Sequence, residues 1–125
     1  MNSDAVTYES LGMVAVITMT KPPVNALGAD LRAGIAGALD LANQDASVQA
    51  IVLTGSGRTF SGGADVTEFG TAKPLREPNL RVLIDLIENN QKPVIAAIAG
   101  TCLGGGLELA LGCHFRVALA DASLG

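Results

Sequence analysis

Three consecutive glycines at residues 104–106 join a continuous apolar run, residues 94–99, to a helix that is predicted to begin near Gly105. Because glycine has no Cβ atom, its backbone N–H groups can approach a ligand closely. The first N–H groups of a helix have no partner within it and carry the positive end of its dipole. Glu108 follows in the first turn. The segment therefore predicts a strand-to-helix turn that offers free amides and a nearby carboxylate to an electron-rich oxygen.

A second glycine-rich turn, Phe-Ser-Gly-Gly-Ala-Asp at residues 60–65, follows another strand-like segment at residues 50–54. Preorganised N–H donors stabilise a developing oxyanion, and the loss of one donor costs about 2.7–4 kcal/mol. Two turns of this kind could direct one amide each at a single oxygen. The alternative is that the glycines only permit tight packing between strand and helix.

The hydrophobic pattern along the chain predicts an α/β fold. The predicted elements are strands at residues 14–20, 50–54, 94–99 and 115–120, and helices at residues 30–43, 79–90 and from about 105. The run 94–99 is typical of a strand covered on both faces, whereas the alternation of Phe115, Val117 and Leu119 predicts one buried face. Residues 60–77 form a long loop, which is usually functional or mobile.

Composition fits one domain with an aliphatic core. A chain of 125 residues is at most one ordinary domain. Hydrophobic residues make up 49%, aromatic residues only 3%, and the mean hydropathy is +0.41. Either the α/β core is well buried, or some apolar faces are covered by further sequence or by other subunits.

Charge and cysteine content exclude several classes of function. The net charge is −4 and the eight Lys and Arg residues are scattered, which argues against nucleic-acid binding. Cys102 and Cys113 fit neither a disulfide scaffold nor a zinc site, so buried reduced thiols and a cytoplasmic location are expected.

The N-terminus shows no secretory signal. No apolar run approaches the ~18 residues of a membrane span, so no membrane association is expected.

Three motifs, in this order and spacing, resemble the crotonase (enoyl-CoA hydratase/isomerase) superfamily. They are Lys-Pro-Pro-Val-Asn-Ala-Leu at residues 21–27, the turn at 60–65, and residues 92–98 with 104–110. Residues 104–114 look most like the N-terminal hydratase/isomerase region of multifunctional fatty-acid β-oxidation enzymes. The resemblance covers the whole chain and implies a crotonase-like spiral of β-β-α turns, with residues 1–125 as its N-terminal part and the C-terminal part absent. It also implies a homo-oligomer, a trimer or a hexamer.

The resemblance implies a role for each motif residue. The amides of Ala64 and Gly105 would form the oxyanion hole for a CoA thioester carbonyl, and Glu108 would be a catalytic acid/base. Ala64, Asp65, Val66 and Thr67 would bind the substrate together with Gly105. The implied reaction is hydration of 2-enoyl-CoA to 3-hydroxyacyl-CoA in fatty-acid β-oxidation. Coenzyme A belongs to the substrate, so no separate cofactor and no metal are expected. Either Lys21 or Arg58 would meet its phosphates.

One departure from the family pattern bears on activity. Hydratases of this family have a second catalytic glutamate, whose position would fall past Gly125. We therefore expect little or no hydratase activity from this chain alone. The alternatives are another acyl-CoA enzyme of the superfamily, such as a Δ3-Δ2-enoyl-CoA isomerase, or a non-catalytic acyl-CoA-binding scaffold. RNA binding is disfavoured by the negative net charge.

Several residues have structural interpretations that we prefer. We expect Asp65 to cap the following turn, Glu68 to be a solvated loop acid, and His114 to be a structural imidazole at a helix end. The two cysteines are expected in the core, as is the stripe of Leu80, Leu83, Ile84 and Ile87. A fully solvated Glu108 is not expected, because its sequence neighbours are leucines.

Overall fold

A five-stranded sheet carries the main core in the computed structural model, which describes residues 4–125. Its strands follow the spatial order β1 (Val6–Leu11), β2 (Val14–Met19), β3 (Ala50–Gly55), β5 (Val94–Ile98) and β7 (Phe115–Ala118). The β1–β2 pair is antiparallel and the other pairs are parallel. A smaller parallel sheet contains β4 (Thr59–Ser61), β6 (Thr101–Cys102) and β8 (Ser123–Leu124). Pairing of β4 with β6 brings the two glycine-rich turns that follow these strands close together.

Within residues 4–125, the α-helices are α1 (Ala29–Gln44), α2 (Leu80–Glu88) and α3 (Gly105–Gly112). They confirm the three predicted helices. Asn79 caps α2, since its Oδ1 accepts a hydrogen bond from the N–H of Val82 at 2.9 Å. The long loop between β4 and α2 contains two short 3-10 helices, Val66–Glu68 and Lys73–Leu75.

The apolar faces of the first two helices form the core together with the sheet. On α1, the residues with helical spacing are fully buried, as predicted: Leu31, Ile35, Leu39 and Ala42. On α2, Leu83 and Ile87 are fully buried, and Leu80 and Ile84 are half-buried against the same core. The stripe on α2 is therefore core packing, as predicted.

Two expectations about strand burial are wrong. Val94, Ala96 and Ile98 of β5 are buried, but the residues between them are only half-buried, so one face of β5 is fully covered and the other is not. All residues of β7 are exposed, including Phe115 (62%) and Val117 (64%). The reason is that β7 is the edge strand of the sheet, and no element within residues 4–125 covers it.

The sequence pattern does not reveal β1, β4, β6 and β8. Only Val6 of β1 is buried, β4 has three residues, and β6 and β8 have two residues each. Strands that are this exposed or this short leave no periodic apolar signal.

Among residues 4–125, no helix combines the length and the apolar character needed to cross a membrane. Residues 1–3, part of the N-terminus in which no secretory signal is expected, lie outside the described residues.

Candidate active site

The two glycine-rich turns pack directly against each other. The N–H of Leu103 donates a hydrogen bond to the carbonyl of Ser61 at 3.0 Å. A Cβ atom at Gly106 would lie 2.4 Å from that same carbonyl oxygen, so only glycine fits there. Gly63 has a φ of +105°, and a Cβ atom on it would lie 3.4 Å from the nitrogen of Gly105. Tight packing is thus one function of these glycines, and it brings the two turns into contact.

The amides of Ala64 and Gly105 are neighbours, and both are free. The nitrogen of Ala64 lies 3.7 Å from the position that a Cβ atom would take at Gly105. Within the part of the chain that the structure describes, neither N–H donates a hydrogen bond. Gly105 is the first residue of α3, where an N–H without a partner in the helix is expected. The arrangement leaves two unpaired donors beside each other at the surface where the turns meet.

The direction of the Ala64 amide is set by its own peptide bond. The carbonyl of Gly63 accepts a hydrogen bond from the N–H of Leu27 at 2.8 Å. The peptide bond between Gly63 and Ala64 is trans. In a trans peptide the C=O and N–H groups point in opposite directions. The N–H of Ala64 therefore points away from Leu27.

A buried side-chain network attaches the first turn to the motif at residues 21–27. Asn25, which is 2% exposed, donates its Nδ2 protons to the carbonyls of Thr59 (3.0 Å) and Phe60 (3.1 Å). Ser61 donates its hydroxyl to the Asn25 carbonyl at 2.8 Å and accepts from the N–H of Gly63 at 3.2 Å. The polar residues of these two motifs thus hold the turn in place, a function that sequence reasoning did not assign to Asn25 and Ser61.

Glu108 lies in the first turn of α3 and is exposed. It is exposed because α3 buries only one face, formed by Gly106, Leu109, Ala110 and Gly112. The side chain borders an open cavity of about 450 Å³ between α3 and α2. The other residues that line this cavity are Leu80, Arg81, Ile84, Asp85 and Glu88.

Asp65 caps the 3-10 helix Val66–Glu68, as predicted. Its Oδ1 accepts hydrogen bonds from the N–H of Thr67 at 3.0 Å and from the Thr67 hydroxyl at 2.6 Å. Val66 is 68% exposed. These residues, which the resemblance assigns to substrate binding, therefore form an ordered and accessible segment directly after Ala64.

A polar cavity of about 410 Å³ borders this segment, with Asp65 and Thr67 in its wall. Lys21, Lys73 and Arg76 also line it. Arg58 lines a different cavity, together with Gly100 and Asp121. Of the two residues predicted to meet phosphates, the structure places only Lys21 beside the predicted binding segment.

Lys21 is paired with Asp30 at the wall of the polar cavity. The hydrogen bond and the opposite charge raise the pKa of Lys21, and the same hydrogen bond lowers the pKa of Asp30. Both side chains are about half-exposed, 41% and 53%. An ion pair this accessible adds little to stability, so the Lys21 ammonium remains available to an incoming anion.

Glu68 is buried, 8% exposed, and the expectation of a solvated loop acid is wrong. Its Oε2 accepts a hydrogen bond from the N–H of Ala29 at 3.0 Å, the first residue of α1. Its Oε1 lies 3.7 Å from Nη1 of Arg32, which is 3% exposed. The helix start lacks a side-chain cap of its own, since Gly28 is the N-cap residue. Glu68 supplies that cap from the loop.

The remaining titratable candidates are structural, as predicted. Nδ1 of His114 accepts from the N–H of Val94 at 2.9 Å, and its Nε2 lies 3.1 Å from the Glu88 carbonyl, so the ring links α2 to β5. Cys102 and Cys113 are buried and free. Burial raises the pKa of Cys113 to about 12. Across residues 4–125 there is no group of three or more His, Cys, Asp or Glu side chains placed to hold a metal ion.

Comparison with known proteins gives one consistent family. A family model described as enoyl-CoA hydratase/isomerase matches residues 9–125. A peroxisomal bifunctional enzyme of Danio rerio is 52% identical over 112 residues, covering 90% of this chain and 15% of that protein. A probable enoyl-CoA hydratase of Bacillus subtilis (strain 168) is 45% identical over 117 residues, covering 90% of this chain and 45% of that protein.

Solved structures agree with this result. An enoyl-CoA hydratase/carnithine racemase from Magnetospirillum magneticum superposes with a TM-score of 0.88 at 33% identity, covering 99% of this chain and 49% of that one. An enoyl-CoA hydratase from Bacillus anthracis superposes with a TM-score of 0.88 at 32% identity, covering 97% of this chain and 50% of that one. The chain thus spans about half the length of these solved structures and less than half of both curated relatives. The likeness confirms the predicted crotonase-like α/β fold.

Proposed function

Because this chain belongs to the enoyl-CoA hydratase/isomerase family, we propose that it forms the N-terminal part of a site that hydrates 2-enoyl-CoA thioesters to 3-hydroxyacyl-CoA. Fatty-acid β-oxidation is the process in which this step would occur. The observation that supports the proposal most is the pair of adjacent, unpaired amides at Ala64 and Gly105. Two free N–H groups side by side are suited to donate hydrogen bonds to the oxygen of a thioester carbonyl.

In this proposal the two amides donate hydrogen bonds to the carbonyl oxygen and stabilise the negative charge that develops there. Withdrawal of electrons into the carbonyl makes the β-carbon of a 2-enoyl group electrophilic. A water oxygen then adds to the β-carbon as the π electrons move toward the carbonyl, and the α-carbon of the resulting enolate takes the proton that the water gives up to Glu108. Glu108 would take the proton from the attacking water as a general base, a function that typically contributes about 10²–10⁴-fold to the rate.

We assign the coenzyme A portion to the segment after Ala64. Asp65, Val66 and Thr67 would contact it, and the polar cavity beside them would take its phosphates. The residues that line the cavity include three cationic ones, Lys21, Lys73 and Arg76, beside the acidic Asp30, Asp65 and Glu68. No metal and no separate cofactor enters this scheme, since coenzyme A arrives with the substrate.

A non-catalytic acyl-CoA-binding scaffold is the second candidate, and the exposure of Glu108 favours it. A general base that is exposed to solvent gains less than one in a water-poor site, where electrostatic effects are strongest. For this chain, binding and polarisation of the thioester are therefore the expected properties, with low turnover. A Δ3-Δ2-enoyl-CoA isomerase would use the same oxyanion hole and would move a proton between two carbons without adding water.

Assembly and location are further parts of the proposal. The exposed apolar residues of β7, Phe115 and Val117, support burial of this edge in a larger assembly, such as the trimer or hexamer that the family resemblance implies.

A cytoplasmic location agrees with reduced, buried thiols. The relative from Danio rerio is named peroxisomal, which makes peroxisomes the alternative. Fractionation of the native protein against a peroxisomal marker separates the two.

The reaction is tested with Glu108→Gln. The low hydration of crotonyl-CoA that we expect above the uncatalysed background should fall to that background, while the affinity for the saturated analogue butyryl-CoA stays the same. Glu88→Gln is the matched control, because Glu88 lines the same cavity and has no assigned function in the reaction. Equal hydration above background by Glu108→Gln and the unaltered chain would contradict the catalytic assignment. Binding of butyryl-CoA without any hydration by the unaltered chain would favour the scaffold.

A further inference from the structure

Arg32 is a buried cation that holds backbone carbonyls on both sides of the predicted substrate-binding segment. Its Nε donates to the carbonyl of Pro78 at 2.8 Å, and its Nη2 donates to those of Lys73 at 2.8 Å and Arg76 at 3.2 Å. Its Nη1 donates to the carbonyl of Leu27 at 2.8 Å. A planar guanidinium can direct donors along several fixed directions at once, which an ammonium group cannot do.

The bond to Leu27 connects Arg32 to the amide of Ala64. Arg32 holds the carbonyl of Leu27, and the N–H of Leu27 holds the carbonyl of Gly63 at 2.8 Å. That carbonyl belongs to the same planar peptide unit as the N–H of Ala64. A rotation of this unit would break the Leu27–Gly63 bond. The position of Leu27 therefore sets the direction of the Ala64 N–H.

Glu68 fixes the guanidinium from the other side of the loop. Its two carboxylate oxygens face Nη1 of Arg32 at 3.7 Å and the N–H of Ala29 at 3.0 Å. The side chains of Arg32 and Glu68 are only 4% and 10% exposed. Loss of one partner from a buried charged pair leaves the other charge uncompensated. The start of α1, the Ala64 turn and the loop before α2 are thus tied to one buried group.

Arg32 and Ala64 also line one small cavity, of about 100 Å³, together with Leu27, Glu68 and Leu80. Leu80 reaches Gly105 on the other side, where its Cδ2 lies 3.1 Å from the position of a Cβ atom. Leu80, which borders the Gly105 amide, follows by two residues Pro78, whose carbonyl accepts a hydrogen bond from Arg32.

We infer that Arg32 is a positioning residue for the proposed oxyanion hole: through Leu27 it orients the Gly63–Ala64 peptide so that the Ala64 N–H meets the thioester oxygen. This inference rests on the proposed function and adds to it a residue that no motif of the sequence indicates. Arg32 does not touch the substrate, and it also holds the carbonyls of Lys73 and Arg76 in the wall of the polar cavity. Its effect on polarisation of the carbonyl is therefore read with butyryl-CoA at saturation, where a change in capture of coenzyme A does not enter.

The test is the infrared stretch of the thioester carbonyl in bound butyryl-CoA, labelled with carbon-13 at that carbonyl. Hydrogen bonds from the two amides shift this stretch to lower frequency in the unaltered chain. Arg32→Lys keeps the positive charge but not the fork of donors. At saturating butyryl-CoA we expect this variant to lose at least half of the frequency shift.

Arg116→Lys is the matched control. The Arg116 guanidinium also holds backbone carbonyls, those of Ala110, Leu111 and Cys113, at the opposite end of α3 from Gly105. Arg116→Lys should lower the melting temperature without changing the carbonyl shift. A full shift in folded Arg32→Lys, or an equal loss in both variants, overturns the inference. Absence of any shift in the unaltered chain instead overturns the proposed function.

Hydrogen exchange on the unaltered chain tests the same inference if Arg32→Lys does not fold. The N–H of Leu27, bonded to the Gly63 carbonyl, should be protected to the same degree as the N–H of Gly62, which donates to the Val24 carbonyl at 2.7 Å. Exchange of the Leu27 amide at the rate of an unprotected peptide would show that the connection to Ala64 is not maintained, and would overturn the inference.

Discussion

Leu103 donates its backbone N–H to the carbonyl of Ser61 at 3.0 Å, and this hydrogen bond joins the two glycine-rich turns. It belongs to the parallel pairing of β4 with β6, in which Ser61 lies opposite Cys102, the residue before Leu103. Ala64 and Gly105 follow the bonded residues by three and two positions. The distance between the two free amides is therefore a consequence of sheet pairing, and changes that separate Ser61 from Leu103 should separate the amides as well.

Gly106→Ala should destabilise the fold at this junction. The new Cβ would lie 2.4 Å from the Ser61 carbonyl oxygen, and a backbone group cannot move aside as a side chain can. Insertion of a methyl group into a packed site typically costs about 1–3 kcal/mol. The free energy of unfolding in urea is the measurement.

Gly112→Ala is the control for this prediction, because it makes the same change in the same helix. Its Cβ would meet a side-chain methyl of Ile84 at 2.9 Å, which a small rotation can relieve. We expect a smaller loss of stability there. A larger loss for Gly112→Ala would show that backbone contact with Ser61 is not the reason for glycine at residue 106.

Lys21→Gln should weaken binding of coenzyme A, whereas Arg58→Gln should not. Lys21 lines the polar cavity beside Asp65 and Thr67, and Arg58 lines another cavity. A hydrogen bond to a charged group is worth about 1.5 kcal/mol or more, which corresponds to a loss of roughly tenfold in affinity. Isothermal titration calorimetry with coenzyme A at low salt measures both variants. A loss confined to Arg58→Gln would move the phosphate site to the other cavity.

Titration of Cys113 should make the fold less stable at alkaline pH. Burial raises the pKa of Cys113 to about 12 in the folded state, whereas an unfolded cysteine has a pKa of about 8.5. Above that value the unfolded chain releases the thiol proton and the folded chain keeps it. Stability must then fall as pH rises, by up to about 1.4 kcal/mol per pH unit.

Cys113→Ala removes this titration and keeps Cys102, so it is the matched control. Urea unfolding under reducing conditions, between about pH 8 and about pH 10, compares the two slopes of stability against pH. The unaltered chain should have the steeper decline. Parallel slopes would mean that the Cys113 thiol ionises as easily in the folded protein as in the unfolded one.

The sequence predicts the elements whose pattern is local. Leu31, Ile35 and Leu39 are spaced for one face of α1, and they are buried on that face. The backbone N–H of Thr67 lies two residues after Asp65, and the Asp65 side chain accepts a hydrogen bond from it. Contacts of this kind depend only on neighbours along the chain, so residue type and spacing are sufficient to predict them.

Contacts between distant segments were not predictable in this way. Arg32 and Glu68 are charged residue types that usually lie at the surface. Here they are buried, because carbonyls from residues 73–78 and the start of α1 surround them. The leucine neighbours of Glu108 argued against full solvation, and how far solvent reaches the residue depends on α3, which buries a face that does not include it. Phe115 alternates as in a half-buried strand, yet β7 lies at the sheet edge. Burial at these positions depends on which elements pack there.

The most direct test of the account is the nitrogen–proton NMR spectrum of the chain during titration with butyryl-CoA. If Ala64 and Gly105 donate to one thioester oxygen, their two amide signals should move downfield together and follow the same binding curve. Titration with a CoA thioether, which lacks the carbonyl, should leave both signals in place while residues 65–67 still respond. Movement of only one of the two amides, or equal movement with the thioether, would contradict the account.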